Sequence, residues 1–218
     1  ETIVRYATDC RIPPHAAPRT TCIACVVQDG LAIWAHAGDS RLYLIHGHSD
    51  GPPRVAQTRD HSIVQRMVDQ GSLSDAEAAT HPLRNRVFSC LGGDVKPHIE
   101  VSPAVKLQDG DLIALCTDGA WSPLGETLVA ELGRASPNTT VPHLLNAAEL
   151  AAGPEADNLT LIAMRWEAPD PDTDTDIDDR RSAVQKVTAE GPISDEDIET
   201  AIAAIRRRIP LTPNGASS

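Results

Sequence analysis

The chain has 218 residues, with 19 Lys plus Arg against 31 Asp plus Glu and a formal net charge of -12. That acidic balance excludes a general affinity for nucleic acid, which needs cationic side chains on the phosphate backbone. Hydrophobic residues make up 41% and aromatics 3%, so the expected body is a globular domain whose core is built from Ala, Val, Leu and Ile.

Residues 20 to 46, "TTCIACVVQDGLAIWAHAGDSRLYLIH", hold apolar, β-branched runs separated by turn signals. Asp29-Gly30 suits the positive φ of a tight hairpin turn, and a second break falls at Gly38-Asp39-Ser40. Strands joined so briefly imply a largely antiparallel sheet. Cys22 and Cys25, three apart in a strand, fall on opposite faces and are read as strand residues rather than a redox or zinc pair. The five cysteines form no even framework, and no signal peptide is evident. No apolar run approaches the ~20 residues of a membrane span. A reduced, cytoplasmic setting away from membranes is therefore expected.

From 62 to 80 the period changes. Ile63, Val64, Met67 and Val68 recur at helical spacing, Gly71 stops the run, and Ser74 restarts it with Glu77 in the capping-box position. "VFSCLGG" and "HIEVSPAVKL" return to strand-like patterning, and "DLIALCTDG" reads as a buried strand. "ETLVAELG" and "TVPHLLNAAELAAG" read as helices, the second capped by Thr140 with Pro142 in its first turn, and "NLTLIAMRW" is another strand. The fold class is α+β.

Beyond Ala168 the composition shifts. "APDPDTDTDIDDRR" carries six aspartates from Asp170 to Asp179, which repel one another and bury nothing, so residues 168–193 are expected to be an acidic disordered linker. An EF-hand reading fails there, with Ile177 where the loop needs Gly and Ala183 where it needs Glu. Residues 194–210 form a well-signalled amphipathic helix: Ser194 caps it, Ile198, Ile202, Ile205 and Ile209 share one face, and Pro210 stops it. It is expected to dock within the chain or on another molecule, and 211–218 to be a disordered tail.

Three segments share one design: "HAGDSR" with Asp39, "LCTDGAW" with Asp118 and "EADNLTL" with Asp157. Each sets a carboxylate at the edge of an apolar strand. Singly, such residues serve as turns or caps. Three together suit a hard cation such as Mg²⁺ or Mn²⁺, which takes oxygen ligands, and Gly119 lets the backbone come close to it.

The order and wording of "AGDSRLYLI", "TRDHS", "NRVFSCLGG", "DLIALCTDGAW" and "ADNLTLIAMRW" resemble the metal-dependent protein phosphatase 2C family of bacterial type, over roughly residues 15 to 167. The resemblance implies an αββα sandwich over 1–167, two antiparallel sheets flanked by helices, with a two-metal Mn²⁺ or Mg²⁺ site in a cleft at one end. Asp118 and Asp157 match metal-ligating aspartates of the family, and Asp39 matches one that helps hold a third, weaker metal. Residues 62 to 90 would form a flap beside the cleft. The implied activity is hydrolysis of phosphoserine and phosphothreonine in proteins by a metal-activated water, within a serine/threonine kinase pathway.

Two features depart from the family. The N-terminal "DG.GG" motif, whose Asp bridges both metals, and the phosphate-binding Arg before it are missing; upstream of Asp39 only Asp9 and Asp29 are available. Ser122 stands where many members have a further Asp of the third metal. The chain is thus expected to be a fragment of an active phosphatase, and the alternative is an inactive relative that binds phosphoproteins. Arg84 and Arg86 in "HPLRNRVF" are the candidates for touching a phosphorylated peptide, because a guanidinium suits phosphate geometry. Asp60 and His61 are read as structural, Arg41 as paired with a neighbouring carboxylate, and Trp34 and Trp121 as packing.

Overall fold

Strands β1 (Cys22–Gln28) and β2 (Leu31–Ala37) form a hairpin in full antiparallel register from Cys22 opposite Ala37 to Gln28 opposite Leu31. Asp29 and Gly30 turn it, with φ of 51° and 73°, the conformation that the Asp-Gly pair supplies. The computed structural model describes residues 2–47, 54–93, 95–155 and 157–168. The expected amphipathic helix and tail, and all but the first residue of the expected linker, lie outside them.

Strand β3 (Arg41–His46) follows within four residues but does not pair with β2. The Gly38-Asp39-Ser40 link carries the chain into a second sheet. Gly38 makes the crossing at φ 118°, where a Cβ would lie 2.3 Å from Thr21 Cγ2, so no larger residue fits. The second sheet has the order β4-β3-β7-β8, antiparallel throughout, with β4 at Arg54–Gln57, β7 at Leu112–Cys116 and β8 at Leu161–Arg165. In the first sheet, β5 (Glu100–Val101) and β6 (Val105–Lys106) both pair with β2. Between them Ser102 Oγ accepts the Trp34 N–H at 3.0 Å, filling a gap in the ladder.

Alternation sorts the side chains into two cores. Leu42, Leu44 and Ile113 face the first sheet and pack with Ala32, Leu107, Ile23, Cys25, Val27 and Trp34. Tyr43, Ile45, Leu112, Ala114, Cys116 and Leu161 face the other way. Against them lie α4 (Asp118–Leu124), α5 (Glu126–Arg134) and α6 (Pro137–Ala152), through Ala120, Leu128, Leu132 and Leu144. The expected α+β fold of two antiparallel sheets with helices is present. Cys22, Ala24 and Val26, on the outer face of the first sheet, are exposed, and among the described residues no helical layer covers them.

Helices α2 (Ile63–Asp69) and α3 (Asp75–Thr80) form as read, with the Ser74–Glu77 capping box complete. Three readings need correction. Helix α1 (Thr2–Asp9) was not anticipated. Helix α6 starts at Pro137, a turn earlier than expected, because Ser136-Pro137 offers an N-terminal proline that needs no hydrogen bond; Thr140 and Pro142 lie inside it. "VFSCLGG" forms only isolated bridges, Ser62 with Val87 and Thr20 with Leu91. Gly92 and Gly93 adopt positive φ, which takes the chain out of strand geometry.

Candidate metal centre

Asp118 is the first residue of α4, separated from the end of β7 by Thr117 alone. Thr117 clasps its loop to the segment before β8. Its N–H donates to Thr160 O at 3.1 Å, its Oγ1 donates to Asn158 O at 3.0 Å, and it accepts the Thr160 N–H at 3.1 Å. Behind the clasp Gly119 packs without a side chain. A Cβ there would meet Asn158 O at 2.6 Å, so glycine is what lets the Asp118 and Asp157 loops lie side by side. Asp118 Oδ1 accepts the Gly119 N–H at 3.0 Å, and Asp157 Oδ1 accepts the Asn158 N–H at 2.7 Å. Each carboxylate is bonded to the backbone of its own turn.

Asp39 arrives from the crossover between the sheets and is 8% exposed. Trp121 in α4 donates its indole N–H to Asp39 O at 2.9 Å, and the guanidinium of Arg41 stacks 3.5 Å over the same ring. Arg41 is held in turn by a two-point pair with Asp60, at 2.8 and 3.0 Å. The default pairing expected of Arg41 and the structural role expected of Asp60 are both seen. Trp34 and Trp121 pack against the two cores.

These groups feel one another's charge. Burial first, and then Asp118, push the Asp39 carboxyl up to about 6. Burial first, and then Asp157, raise the Asp118 carboxyl. Asp118 therefore stands electrostatically between the other two, and Arg41 is already matched by Asp60. Charge links these three carboxylates in series, with Arg41 offsetting part of it at Asp39, and carboxylate oxygens are the donor type that suits a hard divalent ion.

The other sequence candidates stand apart. Arg84 and Arg86 are exposed in the turns after α3, and among the described residues only their backbones are hydrogen bonded, Arg86 O accepting the Ile63 N–H at 2.8 Å. Asp29 occupies the hairpin turn and Asp9 ends α1. Asp60 was missed as a neighbour of the centre; its only signal was its place in "TRDHS". His61 showed no ligand spacing in sequence, yet it stacks on His36 and lies 3.6 Å from Glu100, residues brought to it from β2 and β5.

The chain thus forms a sandwich of two antiparallel sheets, with helices packed on one of them and aspartates at neighbouring strand ends. No family model matches the chain. A protein phosphatase 2C-type protein of Streptococcus pyogenes is 32% identical over 156 residues, covering 69% of this chain and 59% of that protein. The Stp1 serine/threonine phosphatase of Staphylococcus aureus superposes with a TM-score of 0.63 at 25% identity, covering 77% of this chain and 63% of that one. The catalytic domain of the serine/threonine phosphatase PstP, solved in complex with two manganese ions, gives 0.58 at 27% identity over 75% and 66%. The chain is a relative of the bacterial-type protein phosphatase 2C family. It spans about half the length of the curated relatives it matches.

Proposed function

We propose that the protein is a metal-dependent phosphatase acting on phosphoserine and phosphothreonine in proteins, with two Mn²⁺ or Mg²⁺ ions and a weaker third. The observation that supports this reading is the close packing of the Asp118 turn on the Asp157–Asn158 turn across Gly119 and Thr117, with Asp39 near enough to Asp118 for that charge to raise its carboxyl. Asp118 and Asp157, with the backbone at Gly119, would hold the core ions, and Asp39 the third. A divalent ion bound there supplies water activation and neutralises charge on the phosphoryl group. The chain's own part is positional: the Thr117 clasp fixes the Asp118–Asp157 separation, and Trp121 and the Arg41–Asp60 pair fix the Asp39 loop. Arg84 and Arg86 are proposed to bind the phosphorylated peptide, and their double replacement by Ala should raise peptide KM; an unchanged KM would remove them from that role.

A second reading has its own observation. Among the described residues before Asp39, Asp9 ends a helix and Asp29 turns a hairpin. The alternative reading is an inactive relative that binds phosphoproteins. No described helix is long and apolar enough to cross a membrane, and a cytoplasmic place beside a serine/threonine kinase, with residues 194–210 as a docking helix, is part of the proposal.

The test is hydrolysis of an aryl phosphate and a phosphothreonine peptide with Mn²⁺ and with EDTA, beside Asp118→Asn. Metal-dependent turnover that the variant abolishes is expected. Absence of turnover in a folded chain that still binds the phosphopeptide in chelator would favour the alternative.

A further inference from the structure

A second group of ligand-bearing side chains, His36, His61 and Glu100, contains none of the aspartates. The β2–β5 register sets His36 opposite Glu100. His61 is pinned beside them by its backbone, its N–H donating to Gly38 O at 2.9 Å and its carbonyl accepting from Phe88 N at 2.8 Å. Its ring stacks on His36 with centroids 4.4 Å apart. The two histidines are 3% and 4% exposed, whereas the Glu100 side chain is 55% exposed at the mouth of the group.

Each ring is tied at one nitrogen and unsatisfied at the other. His36 Nε2 donates to Arg59 O at 2.8 Å, and His61 Nδ1 faces the Gly38 N–H at 3.3 Å. His36 Nδ1 and His61 Nε2 are buried and, among the described residues, have no hydrogen-bond partner. Buried polar atoms are seldom left so, and one of them, His61 Nε2, lies 3.6 Å from Glu100 Oε2. One ring nitrogen of each histidine and a Glu100 oxygen lie within 4.8 Å of one another.

We propose that His36, His61 and Glu100 form a binding site for a transition-metal ion of the Zn²⁺ class, separate from the aspartate cluster. Two imidazoles and one carboxylate are a zinc-type donor set, whereas an all-oxygen set suits Mg²⁺ or Mn²⁺. Ligand atoms around a tetrahedral zinc stand about 3.3 Å apart. The exposed Glu100 side chain is free to close most of the difference, its Oε2 being already 3.6 Å from His61 Nε2. The donation from His36 to a backbone carbonyl is the outer contact that fixes the tautomer of a metal-binding histidine. Burial, then the neighbouring His36, lower the pKa of His61, which keeps that ring neutral as a ligand must be. Binding at its Nε2 moves the remaining ring proton to Nδ1, so the long Gly38 contact is exchanged for the metal bond. The fourth position falls to water or to the exposed His98, whose ring centroid is 4.9 Å from that of His61.

An ion here would join β2, the Asp60–His61 loop and β5. The experiment is titration of the metal-free full chain with Co²⁺ and then Zn²⁺, in an Asp118→Asn/Asp157→Asn background that removes competition from the aspartates. One equivalent of Zn²⁺ is expected to displace one of Co²⁺, whose visible bands have the intensity of a four- or five-coordinate site without sulfur-to-cobalt charge transfer. Affinity should fall at least about tenfold in His36→Gln and in Glu100→Gln, with circular dichroism reporting the fold. Glu100→Gln changes an exposed side chain, so it decides the matter if His36→Gln does not fold. Failure to bind one equivalent, unchanged affinity in Glu100→Gln, or a charge-transfer band placing the ion on cysteines would overturn the proposal.

Discussion

Replacing Gly119 by Ala tests the geometry of the aspartate centre without touching a ligand side chain. Gly119 lies in α4 without a positive φ, so helix propensity alone makes the substitution stabilising by up to about 1 kcal/mol. Packing gives the opposite sign. The new Cβ would sit 2.6 Å from Asn158 O and 3.3 Å from its carbonyl carbon, against about 3.3 Å for an ordinary close carbon–oxygen contact. Both are backbone atoms, so no rotamer change relieves the overlap and the loops must part by roughly 0.7 Å. Overpacking of this kind costs about 1–3 kcal/mol, and the Thr117 Oγ1 to Asn158 O bond adds about 1 kcal/mol when lost. The expected outcome is a net loss of about 2 kcal/mol in urea denaturation in EDTA. Mn²⁺ affinity by calorimetry should fall about tenfold or more, because Asp118 and Asp157 move apart. A variant as stable as the parent, with unchanged Mn²⁺ affinity, would refute the close-approach reasoning.

Two further outcomes follow from the electrostatics. Because the Asp39 pKa is raised to about 6 from its ordinary 3.8, the folded state binds more protons than the unfolded one between those values. Its contribution in EDTA therefore makes stability fall as pH rises from about 4 through about 6, by at most about 3 kcal/mol. Asp39→Asn should flatten that slope in denaturation curves, and saturating Mn²⁺ should stabilise the chain more at pH 7.5 than at pH 5. Asp60→Asn leaves Arg41 facing Trp121 without its carboxylate. With the pair at 20% and 7% side-chain exposure, the loss should be about 2–3 kcal/mol, below the 3–5 of a fully buried pair, and it should appear as a lower urea midpoint with the m-value unchanged.

What was legible in the sequence was local. The Asp29-Gly30 turn, the Ser74–Glu77 box and the alternation of "CIACVVQ" each state a conformation within a few residues, and each formed. Cys22 and Cys25 fell on opposite faces for the same reason. The start of α6 was misplaced because Pro142 and Pro137 carry the same signal, and sequence does not say which proline opens the helix. Partners set by tertiary register were not legible. Nothing in "AHAGDSR" announces that the chain changes sheets at Gly38, or that His36 faces Glu100. The three aspartates could be singled out as candidates because each sits beside a recognisable strand. Asp60 was missed as a neighbour because it belongs to a loop whose position depends on Thr58, which donates its N–H to Leu42 O and accepts the Leu42 N–H on Oγ1.

Trp121 gives the aspartate centre an optical handle. Of the three tryptophans, Trp34 and Trp166 are packed against the core between the sheets. Trp121 instead carries the Arg41 charge on its ring face and is tethered through its N–H to the Asp39 backbone. A cation entering beside Asp39 changes the field across that one chromophore and leaves the other two in their apolar surroundings. The difference in emission between the parent chain and Trp121→Phe thus isolates a spectrum of the centre itself, so that its occupancy can be followed by light in a protein carrying no added label.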